Sequence, residues 1–122
     1  MAADHLQRGA AAETAALALL QRAGLQLIAR NARSRAGELD LVMADGATIV
    51  FVEVRQRSSA AFGGALESIN PHKCRRVIRS AQGWLAAHPQ RAQAPCRFDV
   101  VLAHGQPPQL QWLRDAFRAD DY

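Results

Sequence analysis

Residues 37–57 read Gly37-Glu38-Leu39-Asp40-Leu41-Val42-Met43-Ala44-Asp45-Gly46-Ala47-Thr48-Ile49-Val50-Phe51-Val52-Glu53-Val54-Arg55-Gln56-Arg57. Two runs rich in β-branched and aliphatic residues flank Asp45-Gly46, a dipeptide that readily takes the backbone angles of a tight turn. The stretch is therefore expected to form a β-hairpin, with strands over 38–44 and 48–57. With Asp45-Gly46 as a two-residue loop, Glu38 pairs with Glu53 and Asp40 with Phe51, which sets Glu53 diagonal to Asp40. Side chains alternate with period two, so Glu38, Asp40, Glu53 and Arg55 are expected on one face of the hairpin. Three carboxylates in so small a patch repel one another unless a cation, a proton or basic neighbours relieve them. A one-residue slip of either strand would send the two sets to opposite faces.

Upstream, residues 6–23 carry Leu6, Ala10, Leu17 and Leu20 on one helical face, and Gly24 supplies a stop. Glu13 falls on that face within an arc of roughly 80°, so its carboxylate points toward the core and needs a partner, either a cation or an Arg such as Arg33. A short strand over 25–29 follows. Downstream, 58–68, with Phe62-Gly63-Gly64, has loop composition, and Asn70-Pro71 is a helix start with Asn as cap and Pro at the first position. In the helix that runs to 87, Cys74, Val77, Ile78, Ala81, Trp84 and Leu85 make an apolar face, opposite His72, Arg75, Arg76 and Arg79. Strands over 97–103 and 109–113, a short helix over 114–119 and a frayed tail at 120–122 complete the chain. This order predicts one α/β domain over 1–119, in three layers, with a central mixed five-stranded sheet flanked by helices.

The 122 residues suit one core, and no apolar run reaches the ~20 residues of a membrane span. The N-terminus lacks the layout of a secretory signal, so a cytoplasmic protein without membrane attachment is expected. Cys74 and Cys96 are too few and too far apart for a zinc clamp and are expected in the core, while His5, His72, His88 and His104 lack zinc spacing. The charge is unevenly spread. Residues 1–54 carry five Arg against six acids, and 98–122 two Arg against four, but 55–97 carry eight basic residues against Glu67 alone, a formal +7. Such a segment fits either a polyanion partner or a solvated basic face. Fourteen of the fifteen basic residues are Arg; the exception is Lys73.

Glu13, Asp40 and Glu53, with Arg55 two residues on, form a chemical set. Mg²⁺ is held by one or two carboxylates, waters and substrate phosphate oxygens, and such an ion polarises a scissile phosphate and activates water. A neighbouring cation stabilises the charge that develops in the transition state.

Gly37-Glu38-Leu39-Asp40-Leu41-Val42 followed by Phe51-Val52-Glu53-Val54-Arg55 resembles the YraN family of small predicted endonucleases. That family is similar to archaeal Holliday-junction resolvases of the restriction-endonuclease-like superfamily, whose signature is written PD-(D/E)xK. Supporting segments are Gly9 with Glu13, Asn31-Ala32-Arg33, Lys73-Cys74-Arg75-Arg76 and Arg97-Phe98-Asp99-Val100-Val101, so the likeness spans nearly the whole chain. The resemblance implies a restriction-endonuclease-like fold and a Mg²⁺- or Mn²⁺-dependent endonuclease acting on DNA, structured or branched DNA included, with a homodimer expected from the two-fold symmetry of a junction. It places the metal on Asp40 and Glu53, with Glu13 as the accessory ligand, and sets Arg55 at the lysine position.

Arginine there supplies charge but gives up no proton near neutrality, so Arg55 does not act as a base. Either the position needs only charge, or Lys73 supplies the amine, or the chain is a catalytically weak or inactive nuclease-fold DNA-binding module. A third reading is a protein-interaction domain whose carboxylate patch meets basic residues. Arg57, Lys73, Arg76 and Arg79 are the candidate phosphate contacts, each otherwise solvated surface. Glu38 is either a ligand or the ion-pair partner of Arg55 or Arg35. Asp99, in an apolar strand, is expected to hold structural hydrogen bonds, and Trp84 and Trp112 to belong to the core rather than to stack on bases.

Overall fold

The structure, a computed structural model, describes residues 2–56 and 70–122, with side chains from residue 9 onward. Arg57, the segment with Phe62-Gly63-Gly64, and the side chains of His5 and Leu6 lie outside the described residues.

Helix α1 (Ala2–Arg22) leads into β1 (Gln26–Ser34), β2 (Gly37–Asp45) and β3 (Thr48–Gln56); α2 (Pro71–Ala87) then precedes β4 (Cys96–His104) and β5 (Gln109–Phe117). Single 3-10 turns lie at Pro89–Arg91 and Ala119–Asp121. The strands form one sheet in the order β1-β2-β3-β4-β5, antiparallel except for the parallel pair β3 and β4. A parallel pair needs a crossover, and α2 lies within it. No described helix is long and apolar enough to cross a membrane.

Alternation along the central strands divides the core in two. Val42, Ile49, Phe51, Val100 and Leu102 pack with Cys74, Val77, Ile78, Ala81 and Trp84 of α2. Leu41, Met43, Val50, Val52 and Val101 pack with Ala16 and Leu20 of α1. The fold is therefore α/β in three layers, and the doubly covered β3 and β4 read as near-continuous apolar runs for that reason.

Asn70 caps α2 as expected, its side chain accepting from the Lys73 N–H at 2.9 Å, with Pro71 at the first position. Ser80 joins the buried face of α2, its hydroxyl donating to the Arg76 carbonyl at 3.0 Å and reaching the Ala36 carbonyl at 3.4 Å. Gly24, at φ +97°, ends α1: its N–H donates to Gln21 O and the Leu25 N–H to Leu20 O, at 3.0 and 3.1 Å. The buried face of α1 is Ala12, Ala16 and Leu20 rather than one through Ala10, which is exposed; Glu13 and Leu17 flank it.

Other expectations are corrected. Strand β1 extends well past residue 29, because β1 and β2 form a second hairpin that pairs Ala32 with Leu39 and Arg33 with Glu38. The segment 114–117 is not helical: β5 continues to Phe117, which pairs with Phe98 and stacks on it at 4.9 Å. Asp115 takes φ 51°, outside the right-handed helical region, and its N–H donates 2.9 Å to the Asp99 carboxylate. The closing residues form a 3-10 turn, with Tyr122 edge-on to Phe117 at 6.2 Å. Cys96 is exposed at the start of β4, whereas Cys74 is buried; both are free thiols.

Candidate active site

The hairpin of β2 and β3 forms, but its loop is Gly46-Ala47, not Asp45-Gly46: Asp45 pairs with Thr48, Val42 with Phe51 and Leu41 with Val52. Gly46 supplies the positive φ of +59° that this turn requires. The shift of two residues keeps the parity of the strands and draws Asp40 level with Glu53, closer than the diagonal placement expected. Regular pairing ends there. The Val54 N–H, 2.8 Å from Asp40 Oδ2, donates to that carboxylate rather than to a strand carbonyl.

The pleat also breaks at this rung. Leu39 and Val42 are three residues apart yet both belong to the core under α2, and Ala29 and Ala32 of β1 pack against the same core. Between the latter two, Asn31 has φ 54°, an uncommon conformation for a residue with a side chain. Consecutive residues Arg30 and Asn31 can thus both line one cavity, together with Gly9, Glu13, Asp40 and Arg55. The cavity holds about 510 Å³ and opens beside α1. The four hairpin charges therefore do not share one flat face. Asp40 and Arg55 reach the cavity, while Glu53 lies near enough to Cys74 of α2 to act electrostatically on its thiol.

The carboxyl groups of Asp40 and Glu53 lie close enough to act on each other's protonation. Burial is the first cause that raises both pKa values; for Glu53 the Asp40 charge adds to it and carries the carboxyl from 4.5 up to about 7, against the opposing pull of Arg55. Arg55 Nη1 lies 3.5 Å from Glu53 Oε1. Two acids forced together out of water are thus both shifted toward the protonated form, the condition that a divalent cation would relieve.

Glu13 is close enough to add its charge to Asp40, but its own partner is Arg30, not Arg33: Arg30 Nε donates to Glu13 Oε1 at 2.8 Å and Arg30 Nη2 to Thr14 Oγ1 at 2.9 Å. Among the described residues no three His, Cys, Asp or Glu side chains converge on one cation position. Asp40 and Glu53 are brought together; Glu13 stands beside them, held by Arg30. The oxygen-only donor set, two carboxylates with a third in reach, fits a hard divalent ion.

Glu38 is partnered by Arg33 at 3.1 Å, not by Arg55 or Arg35. Lys73 forms no ion pair with Asp40 or Glu53 among the described residues; the cation at Glu53 is Arg55. Arg76 and Arg79 are exposed on the outward side of α2 and Lys73 is half-buried, all on the α2 side of the sheet. Asp99 is fully buried and accepts from Arg97 Nε and Nη2 at 3.0 and 3.2 Å, from Trp112 Nε1 at 2.9 Å and from the Asp115 N–H. Its role is structural, as expected. Trp84 is core, and Trp112 packs on the core under α1 with Arg114 over its ring at 4.0 Å. The residues that sequence reasoning missed are Arg30 and Gln56. Arg30 sits within an expected loop, and only its place opposite Leu41 in β1 aims it at Glu13.

The model of the Uncharacterised protein family UPF0102 matches residues 12–103, a span that includes Glu13, Arg30, Asp40, Glu53 and Arg55. A UPF0102 protein of Xanthomonas campestris pv. campestris (strain B100) is 59% identical over 121 residues, 99% of each chain. A UPF0102 protein of Xylella fastidiosa (strain M12) is 53% identical over 113 residues, 93% of each. With a match over most of its length and relatives of this closeness, the chain belongs to the UPF0102 (YraN) family.

Proposed function

We propose that the protein is a metal-dependent endonuclease that hydrolyses phosphodiester bonds in DNA, structured or branched DNA included. The observation that carries this reading is the buried Asp40–Glu53 carboxyl pair at the broken rung of the hairpin, with Arg55 against Glu53 and Glu13 in electrostatic reach. Asp40 and Glu53, assisted by Glu13, would hold Mg²⁺ or Mn²⁺, which polarises the scissile phosphate and activates water. The Val54 N–H orients Asp40 toward the cavity. Arg55, 28% exposed, places a permanent positive charge at the pocket wall, where it stabilises the charge that builds on the phosphate oxygens. It orients and neutralises; it does not take the proton. Arg57, Lys73, Arg76 and Arg79 are assigned to the DNA backbone, and a homodimer in the cytoplasm is the working assembly.

One observation favours a second reading. Arg55 already offsets part of the Glu53 charge, as a bound cation would, which suits a nuclease-fold DNA-binding module without turnover. Labelled four-way junction, flap and linear duplex DNA, incubated with the protein and Mg²⁺ or Mn²⁺, separates the two. Cleavage lost in Asp40→Ala supports the nuclease. Activity only in Arg55→Lys, or DNA binding with no cleavage by any variant, leaves the binding module.

A further inference from the structure

We propose that Arg30 is a positioning residue that couples DNA binding to cation binding: it holds Glu13 away from Asp40 and Glu53 until a substrate phosphate takes up its guanidinium. The proposal rests on the nuclease reading above. Arg30 grips Glu13 through Nε at 2.8 Å and is itself anchored by Thr14 through Nη2 at 2.9 Å. A guanidinium has five N–H donors, so three remain for another acceptor. The Arg30 side chain is 32% exposed and lines the cavity, whereas Glu13 is only 15% exposed. A phosphate that enters the cavity therefore meets the guanidinium before the carboxylate, in the geometry that favours two-point contact.

The pair also sets the charge of the pocket. While Arg30 holds Glu13, the three carboxylates do not converge, although the Glu13 charge still reaches Asp40. When Arg30 turns to a phosphate, Glu13 is left half-buried without its partner and close to Asp40, a state that a divalent ion relieves. DNA then raises the affinity for the cation, and by linkage the cation raises the affinity for DNA by the same factor. The place of Arg30 opposite Leu41, which belongs to the core under α1, is what turns it into the cavity.

The test is calorimetric titration with Mn²⁺ of the native chain, Arg30→Met and Thr14→Val, each with and without a short phosphorothioate duplex that resists cleavage. The native chain should bind Mn²⁺ on the order of tenfold more tightly with DNA present. Arg30→Met should bind Mn²⁺ that much more tightly without DNA and gain nothing further when it is added. Thr14→Val, which loosens the anchor but keeps the guanidinium, should fall between them. Weaker Mn²⁺ binding by Arg30→Met, or a DNA effect of full size in that variant, overturns the proposal while Asp40-dependent Mn²⁺ binding and cleavage by the native chain leave the nuclease reading intact. Absence of Asp40-dependent Mn²⁺ binding in the native chain removes both.

Discussion

Glu53→Gln should make the protein more stable at pH 8, although it removes a side chain assigned to the chemistry. In the folded chain the Glu53 carboxyl is carried from 4.5 to about 7, chiefly by burial and then by Asp40. A raised acid pKa means that the native state binds the proton more tightly than the unfolded chain. The stability that Glu53 contributes is thus fullest below about pH 4.5, declines as pH rises toward 7 and stays low above it. The interval corresponds to about 3 kcal/mol at most, since one pH unit of displacement equals about 1.4 kcal/mol. Glutamine keeps the shape and can hydrogen-bond Asp40, but it never ionises. Allowing for the lost attraction to Arg55, the gain at pH 8 should be about 1–3 kcal/mol, or roughly 4–10 °C in melting temperature. At pH 4.5 it should be near zero. Urea unfolding of both proteins at several pH values measures this directly. A destabilisation that is the same at pH 5 and pH 8 would mean that no charge is forced at this position, and the metal-site argument would lose its physical basis. Saturating Mn²⁺ should reverse the ranking at pH 8 by stabilising the native chain alone.

Three further outcomes are expected. Asp99→Ala leaves Arg97 and the Trp112 N–H without their buried acceptor, and should lower unfolding stability by about 3–5 kcal/mol; a loss under 1 kcal/mol contradicts the network. Arg76→Ala and Arg79→Ala, both exposed on α2, should leave stability unchanged but each lower the slope of log affinity for DNA against log salt by about 1; an unaltered slope would show that DNA avoids that side of the sheet. Asn70→Ala removes the cap on the Lys73 N–H and should cost about 1 kcal/mol in a thermal melt, with no change expected in Mn²⁺ affinity.

The helices and the core strands were legible because their patterns are local: Asn70-Pro71 names its helix start, and the apolar runs of β3 and β4 name buried strands. What escaped was decided by distant partners. Residues 30–34 carry no strand pattern and become strand only because β2 lies alongside. Residues 114–116 depart from the regular pairing and Phe117 rejoins β4 opposite Phe98, with the Asp115 amide held by Asp99, sixteen residues away. The turn moved by one residue, and the register with it by two, because both Asp45-Gly46 and Gly46-Ala47 contain the glycine that the loop needs, and propensity does not choose between them. At the site, Asp40, Glu53 and Arg55 stand out by charge in apolar strands. Arg30 does not, being one arginine among fourteen, distinguished only by geometry.

The seam between β3 and β4 poses an alignment problem that Arg97 solves. Ile49–Val52 would slide past Phe98–Leu102 by two residues with little loss of apolar contact, since both strands are buried aliphatic ribbons on both faces. Arg97 reaches across this seam to Asp45 at 2.8 Å while its other nitrogens hold Asp99, which also collects donors from β5. A slipped alignment breaks the Arg97–Asp45 pair, whereas Asp99 keeps its partners, which all lie on β4 and β5. Arg97 therefore works as a vernier for the sheet, fixing β4 against the end of β2, while the tight turn at Gly46-Ala47 brings Glu53 to the level of Asp40.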